Sequence, residues 1–281
     1  MWFISGYLLY STLYDIYAPT HVKNWKQTLI FVPIFKLIGI FILNLREKQW
    51  CKIQPIDRNL ICSTFFYSAS TMMTYLTFHF YNISALDYSI LTKPKIFWCV
   101  LLANPTPLSL FVSAFTFAGL FRSNNNMVKL ILTLKCAFSA AGSFFSAKYV
   151  LFGKKEADSQ QILNRVYTFT LASAAWSLIT TVGTQSPSFK FNGLEFCIFN
   201  AINSLLVAFI LSKRGPVVRE GLSSLKDIIF MLSARRYSPL LLSINLFSAY
   251  FLNYVKTNGE TKVETVEEIK ERANKDEDNN V

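Results

Sequence analysis

Apolar runs alternate with short polar breaks along nearly the whole chain, and the polar residues cluster between the runs. A membrane-spanning helix needs about 20 mostly apolar residues, with a range of roughly 17–25. Ten runs are read as spanning helices, several of them short: Trp2–Ala18, Trp25–Leu45, Asn59–Phe80, Ala85–Ala103, Leu108–Phe121, Met127–Phe152, Leu163–Thr184, Gly193–Leu211, Val217–Ala234 and Ser238–Val255. The breaks are made of charge runs or turn-forming residues. Arg46-Glu47-Lys48 closes the second run, Asn104-Pro105-Thr106-Pro107 the fourth, and Lys213-Arg214-Gly215-Pro216 the eighth. The expected fold class is an all-α polytopic membrane protein.

Composition agrees with lipid as the solvent. Hydrophobic residues make up 52% of the 281 and charged residues 16%, against roughly 25% charged in a soluble domain. The formal net charge of +11 is uneven, because residues 256–281 carry 5 Lys+Arg and 8 Asp+Glu. That tail is expected to be disordered and cytosolic. Elsewhere the cations sit between or inside apolar runs, which favours a membrane over nucleic acid as the partner.

An even number of spans puts both termini on one side. With cytosolic termini, ten inside-loop cations face seven outside, a weak bias towards that orientation. No cleavable signal peptide is evident. Cys51, Cys62, Cys99, Cys136 and Cys197 show no CxxC pairing and read as small buried hydrophobes. No metal site, cofactor motif or enzyme signature is present. Asn82-Ile83-Ser84 is a glycosylation sequon in a loop expected to be too short for modification.

The chain also echoes itself. Lys95 to Ala103 resembles Lys226 to Ala234, and each is followed by a Pro-Leu helix start, at Pro107-Leu108 and Pro239-Leu240. Segments four and five therefore match nine and ten. An odd repeat unit must insert the second copy upside down, and inverted repeats place a substrate site at their interface near the midplane. The expected units are 1–122 and 123–255, followed by the tail at 256–281.

Charged residues inside spans are costly and mark candidate sites. They are Asp15, Lys36, Asp87, Lys93, Lys95, Lys135, Lys148, Glu195 and Asp227. Lys135, Glu195 and Asp227 read as boundary charges, whereas Lys36 lies mid-span. Cations exceed anions in the spans and their flanks. That excess suits a polyanionic small molecule rather than a proton pump.

The stretch Asn82 to Ile96 resembles the nucleotide-sugar transporters of the drug/metabolite transporter superfamily. Their pattern N-L-D-A-A-x-Y-Q-x-x-x-Q-L-K-I is matched at Asn82, Ala85, Tyr88, Lys95 and Ile96. Tyr88 and Lys95 are seven apart, on one helix face. Ser139 to Leu151 is similar to a second family stretch, with Lys148 on its lysine. Leu205 to Ser224 is similar to a third, with Lys213, Gly221, Ser223 and Ser224 on its pattern. Lys36-Leu37 falls on the family's K-L pair. The chain departs from the pattern at Pro33 and Ala147, which replace glutamates, and at Glu220, which replaces a lysine beside Arg219. Lys93 replaces a glutamine.

The resemblance implies ten helices as two inverted five-helix repeats, in the Golgi or endoplasmic reticulum membrane. It implies an antiporter exchanging a nucleotide sugar, of UDP type, for a nucleoside monophosphate by alternating access. No covalent step and no cofactor are involved, the lipid bilayer is the surrounding partner, and a homodimer is allowed. The implied binding residues are Lys36, Tyr88, Lys93, Lys95, Lys148, Lys213, Arg219, Ser223 and Ser224. Two other readings remain open: another phosphorylated or small organic solute, basic ones included, on the same fold, or a transport-dead interaction protein. Glu220 and Asp87 facing a cavity, with the lysines turned outward, would favour a cationic solute.

Overall fold

Every regular element of the computed structural model is helical among the residues it describes, which are 6–13, 25–47, 50–81, 83–103, 105–151, 159–182, 194–233, 239 and 242–247. In chain order these are α1 (6–13), α2 (Trp25–Glu47), α3 (Arg58–Tyr81), α4 (Ala85–Leu91), α5 (Lys95–Ala103) and α6 (Pro107–Ala114). A 3₁₀ segment, Phe115–Arg122, follows. Then come α7 (Asn126–Leu151), α8 (Ser159–Val182), α9 (Leu194–Ser233) and α10 (242–247). The tail from 256, the sequon asparagine and most of the first and tenth predicted spans lie outside the described residues.

Among the described residues, two helices are long and apolar enough to cross a bilayer by length and composition, over Thr28–Leu45 and Asn126–Tyr149. Helices α3 and α8 reach 24 residues each but carry many hydroxyls. Those hydroxyls bond back to their own helix. Thr64 donates to Leu60 O at 2.9 Å, Thr77 to Met73 O at 2.7 Å, Thr170 to Val166 O at 2.7 Å and Ser173 to Phe169 O at 2.8 Å. Self-satisfaction of this kind lets a polar helix sit inside a bundle without stranded donors.

Besides shifts of a few residues at helix ends and the 3₁₀ second half of the fifth predicted span, two predictions differ from the observed helices. The fourth predicted span is not continuous. It breaks at Thr92-Lys93-Pro94 into α4 and α5, because Pro94 has no N–H to donate into the preceding turn. The eighth and ninth predicted spans are joined. Helical backbone runs through Lys213-Arg214-Gly215-Pro216, making α9 40 residues long. Straight, it would measure about 60 Å, twice a hydrocarbon core. Residues from both of its limbs line one cavity. A Gly-Pro pair is where a helix bends without ending.

Packing places α3 along α7, α2 against α8 and α9, and α5 against α7 and α9. Glycines permit two of the closest approaches. A Cβ on Gly142 of α7 would lie 3.1 Å from the Tyr67 ring and 3.2 Å from its backbone nitrogen on α3. A Cβ on Gly119 would lie 2.7 Å from the Ile90 carbonyl oxygen of α4. Helix α1 meets the N-terminal limb of α9. The Tyr10 ring stacks on Phe199 at 4.2 Å and its hydroxyl donates to Phe199 O at 3.1 Å, while Ser11 donates to Asn203 Oδ1.

Large apolar side chains are exposed on the bundle surface, while polar side chains are buried beside the apolar core clusters. Helix α2 exposes Ile34, Ile38, Phe41, Ile42 and Leu45 in one stripe and buries Thr28 and Asn44. Ser63, Ser143, Thr170, Asn200, Glu220 and Asp227 are buried, whereas Phe111, Phe115 and Phe121 are exposed. Exposed apolar side chains combined with buried polar groups are suited to lipid rather than water.

Candidate functional site

The helix break at Thr92-Lys93-Pro94 is locally well determined. Ser84 caps α4: its hydroxyl accepts from Asp87 N at 3.1 Å and donates to Asp87 Oδ2 at 2.7 Å. At the other end, Thr92 N donates to Tyr88 O at 3.0 Å and Lys93 N to Ile90 O at 3.2 Å, closing the turn. The Thr92 carbonyl is then taken by Lys95 N at 3.3 Å and by the Cys136 thiol of α7 at 3.3 Å. The chain restarts as α5, whose N-terminal residue, Lys95, lines the cavity. Discontinuous helices inside a membrane place half-helix N-termini, with their positive dipole ends, at sites for anions.

Two buried ion-pair clusters join this break to the C-terminal limb of α9. Lys95 Nζ lies 2.7 Å from Glu220 Oε1, and Glu220 is also bonded by Arg219. Lys93 is bonded to Asp227, whose other oxygen lies 3.6 Å from Lys226 Nζ. Lys93, Lys95, Glu220 and Asp227 are each more than nine-tenths buried. Each carboxylate is therefore shared by a lysine from the break and by the basic residue preceding it on α9. A buried carboxylate needs such partners, because desolvation alone costs several kcal/mol.

The clusters line a cavity of about 230 Å³ that also receives Lys135, Tyr88, Ser223 and Ser224. The Lys135 ammonium lies 5.1 Å from the centroid of the Tyr88 ring. The Tyr88 hydroxyl bonds Thr74 Oγ1 at 3.1 Å. Ser224 Oγ and Arg219 Nε are buried with no hydrogen-bond partner among the described residues. Such orphaned polar atoms cost free energy when left unmatched, so their presence in a cavity wall points to a ligand's polar groups.

A second lobe of about 220 Å³ adjoins the first and shares Tyr67, Tyr75, Asn200, Asn203 and Arg219 with it. Its wall is rich in hydroxyls, among them Thr28, Thr170, Ser173 and Ser177, and holds Lys36 5.7 Å from the centroid of the Phe169 ring. The shared wall is held across helices: Asn200 Nδ2 of α9 donates to the Tyr75 hydroxyl of α3, and Tyr67 Oη bonds Ser143 Oγ of α7 at 3.0 Å.

The structure thus gathers Tyr88, Lys93, Lys95, Arg219, Ser223 and Ser224 around one lobe, with Lys36 in the adjoining one. Lys148 is elsewhere. It is exposed, with its ammonium 4.3 Å from the centroid of the Phe144 ring on its own helix. The Lys213 side chain lies outside the described residues. Tyr88 and Lys95 line one lobe, but not as neighbours on a single helix face, because the break lies between them. Lys135 and Asp227, read from sequence as boundary charges, line the cavity. Glu195 is exposed, and Asp87 belongs to the cap of α4. Sequence reasoning passed over Tyr67, Tyr75 and Asn200, and it noted Lys226 only as the repeat echo of Lys95. One signal for Glu220 and Asp227 was available: each acid follows a base, and the two dipeptides, Arg219-Glu220 and Lys226-Asp227, are seven residues apart, two turns of helix.

No family model matches the chain, and no curated protein matches it.

Proposed function

We propose that the protein is a membrane transporter that exchanges a nucleotide sugar for a nucleoside monophosphate by alternating access. The observation that carries this reading is the cavity's charge: Lys93, Lys95, Lys135, Arg219 and Lys226 face two carboxylates, Glu220 and Asp227. A low-dielectric cavity with surplus positive charge favours a multiply charged anion. The hydroxyl-rich second lobe suits a polyol or ribose joined to that anion. The unpartnered Ser224 and Arg219 atoms supply further contacts. The cations line the cavity alongside Glu220, which disfavours a cationic solute.

Ten spans arranged as two inverted repeats accompany this reading. Its support is the packing. Helix α2 lies against α8, and the α4–α5 region lies against the C-terminal limb of α9. The α3–α7 pairing has its counterpart in α1 against the N-terminal limb of α9. Under a five-helix repeat, the first two of these contacts map onto themselves and the last two onto each other. The cavity then lies at the repeat interface, where rocking of one repeat against the other would expose it to each side in turn. A Golgi or endoplasmic reticulum membrane with cytosolic termini is the setting proposed.

The test is exchange in proteoliposomes preloaded with UMP, CMP or GMP and offered a panel of nucleotide sugars. Exchange with at least one pair is expected. Absence of exchange with every pair, from folded protein, overturns the proposal.

A further inference from the structure

We infer that Glu220 and Asp227 are internal counter-ions that the ligand's own anionic group must displace, so that they set the minimum charge a ligand needs in order to bind. The inference rests on the reading of the cavity as an anion site. Without a ligand, neither lysine of the helix break is bare, since Lys95 is held by Glu220 at 2.7 Å and Lys93 by Asp227. An incoming anion must compete with a carboxylate already in contact and already desolvated. A group of single negative charge gains little from replacing another. A phosphate dianion or a diphosphate offers more charge and more acceptor oxygens to the same ammonium groups.

The carboxylates are not stranded by the exchange. Glu220 keeps Arg219, and Asp227 keeps Lys226. That retention distinguishes the arrangement from an ordinary structural pair, in which removing one partner leaves a buried charge uncompensated. Each acid has one cation it can surrender and one beside it in sequence that it retains. The pairs also tie the α4–α5 break to α9, so ligand binding replaces a direct bond between these elements with one bridged by the ligand.

The experiment titrates purified, detergent-solubilised protein with UMP, CMP, GMP and AMP, and with the methyl phosphate ester of each, which carries a single negative charge. The unsubstituted protein is expected to prefer at least one monophosphate over its ester by about tenfold or more. Glu220→Gln and Asp227→Asn, each made separately, are expected to bind the monophosphates about tenfold more tightly and to narrow the preference over the esters. Weaker or unchanged binding by folded variants overturns the inference and leaves the anion-site reading intact. An ester bound as tightly as its monophosphate by unsubstituted protein overturns it too, even if neither variant folds. If neither the unsubstituted protein nor the variants bind any nucleotide, the anion-site reading falls, and the inference falls with it.

Discussion

Lys95 Nζ and Glu220 Oε1 lie 2.7 Å apart, both residues are buried, and Arg219 bonds the same carboxylate oxygen. The relationship joins a helix break in the first half of the chain to a helix limb in the second. It also makes the effect of removing Lys95 specific. Glu220 would still hold Arg219, so Lys95→Ala should leave a folded protein. Exchange should fall by at least about 30-fold, corresponding to the ~2 kcal/mol lower figure for truncating one partner of a buried charge pair. Proteoliposome exchange, read beside a thermal melt in detergent, checks both halves. Wild-type exchange by Lys95→Ala would show that Lys95 contacts no ligand.

Ser224 should separate stability from function. Its hydroxyl is buried and unpartnered among the described residues. Removing an unsatisfied hydroxyl relieves a desolvation cost of about 1–3 kcal/mol at most. Ser224→Ala is therefore expected to melt at the same temperature or higher, while binding nucleotide more weakly. A lower melting temperature with unchanged binding would assign Ser224 to packing alone.

Lys36 and Lys148 both fall on lysines of the family pattern, but only Lys36 lines the cavity. Lys36→Ala should reduce exchange by about tenfold or more, as loss of a half-buried, cavity-lining charge opposite an anion would. Lys148→Ala should leave exchange within about twofold, since surface substitutions remote from a site have small effects. Radiolabelled uptake under identical reconstitution measures both. Equal losses would place the ligand on a surface other than the cavity.

Gly119 is a test of the fold rather than of the site. Its missing Cβ leaves room for the Ile90 carbonyl, which a methyl group would approach to 2.7 Å. Backbone cannot yield as a flexible side chain does, so Gly119→Ala should destabilise by about 1–3 kcal/mol. Gly6→Ala is the matched control, because among the described residues nothing lies within 4 Å of its Cβ position. Thermal melts of the two variants in the same detergent should differ accordingly.

Much of the helical framework was legible in the apolar runs. The helices expected over Asn59–Phe80 and Met127–Phe152 are observed as helices over Arg58–Tyr81 and Asn126–Leu151. The fourth span was misread as one helix, although Pro94 stood in it, because an apolar run shows period and length but not where a turn is stabilised from outside. Here the turn's Thr92 carbonyl takes a bond from Cys136 on another helix. The joining of the eighth and ninth spans was missed for the converse reason. Lys213-Arg214-Gly215-Pro216 has the composition of a loop, yet its backbone is helical. Of the residues singled out in the sequence, Tyr88, Lys93 and Lys95 line the cavity, whereas Lys148 lies away from it.

The sequence by itself determined that the chain is built of helices from apolar runs with cations set inside them, because those properties follow from which residues are present and at what spacing. It also singled out Lys93 and Lys95, since an ammonium group in an apolar run is costly wherever that run lies. Only the tertiary structure decided what compensates them. Lys93 and Asp227 are 134 positions apart, and no local rule links residues so distant. Their meeting depends on α5 packing against α9 and on a helix break that turns both lysines towards the same limb. A buried charge can be recognised from sequence, but the partner that makes its burial tolerable is chosen by the fold.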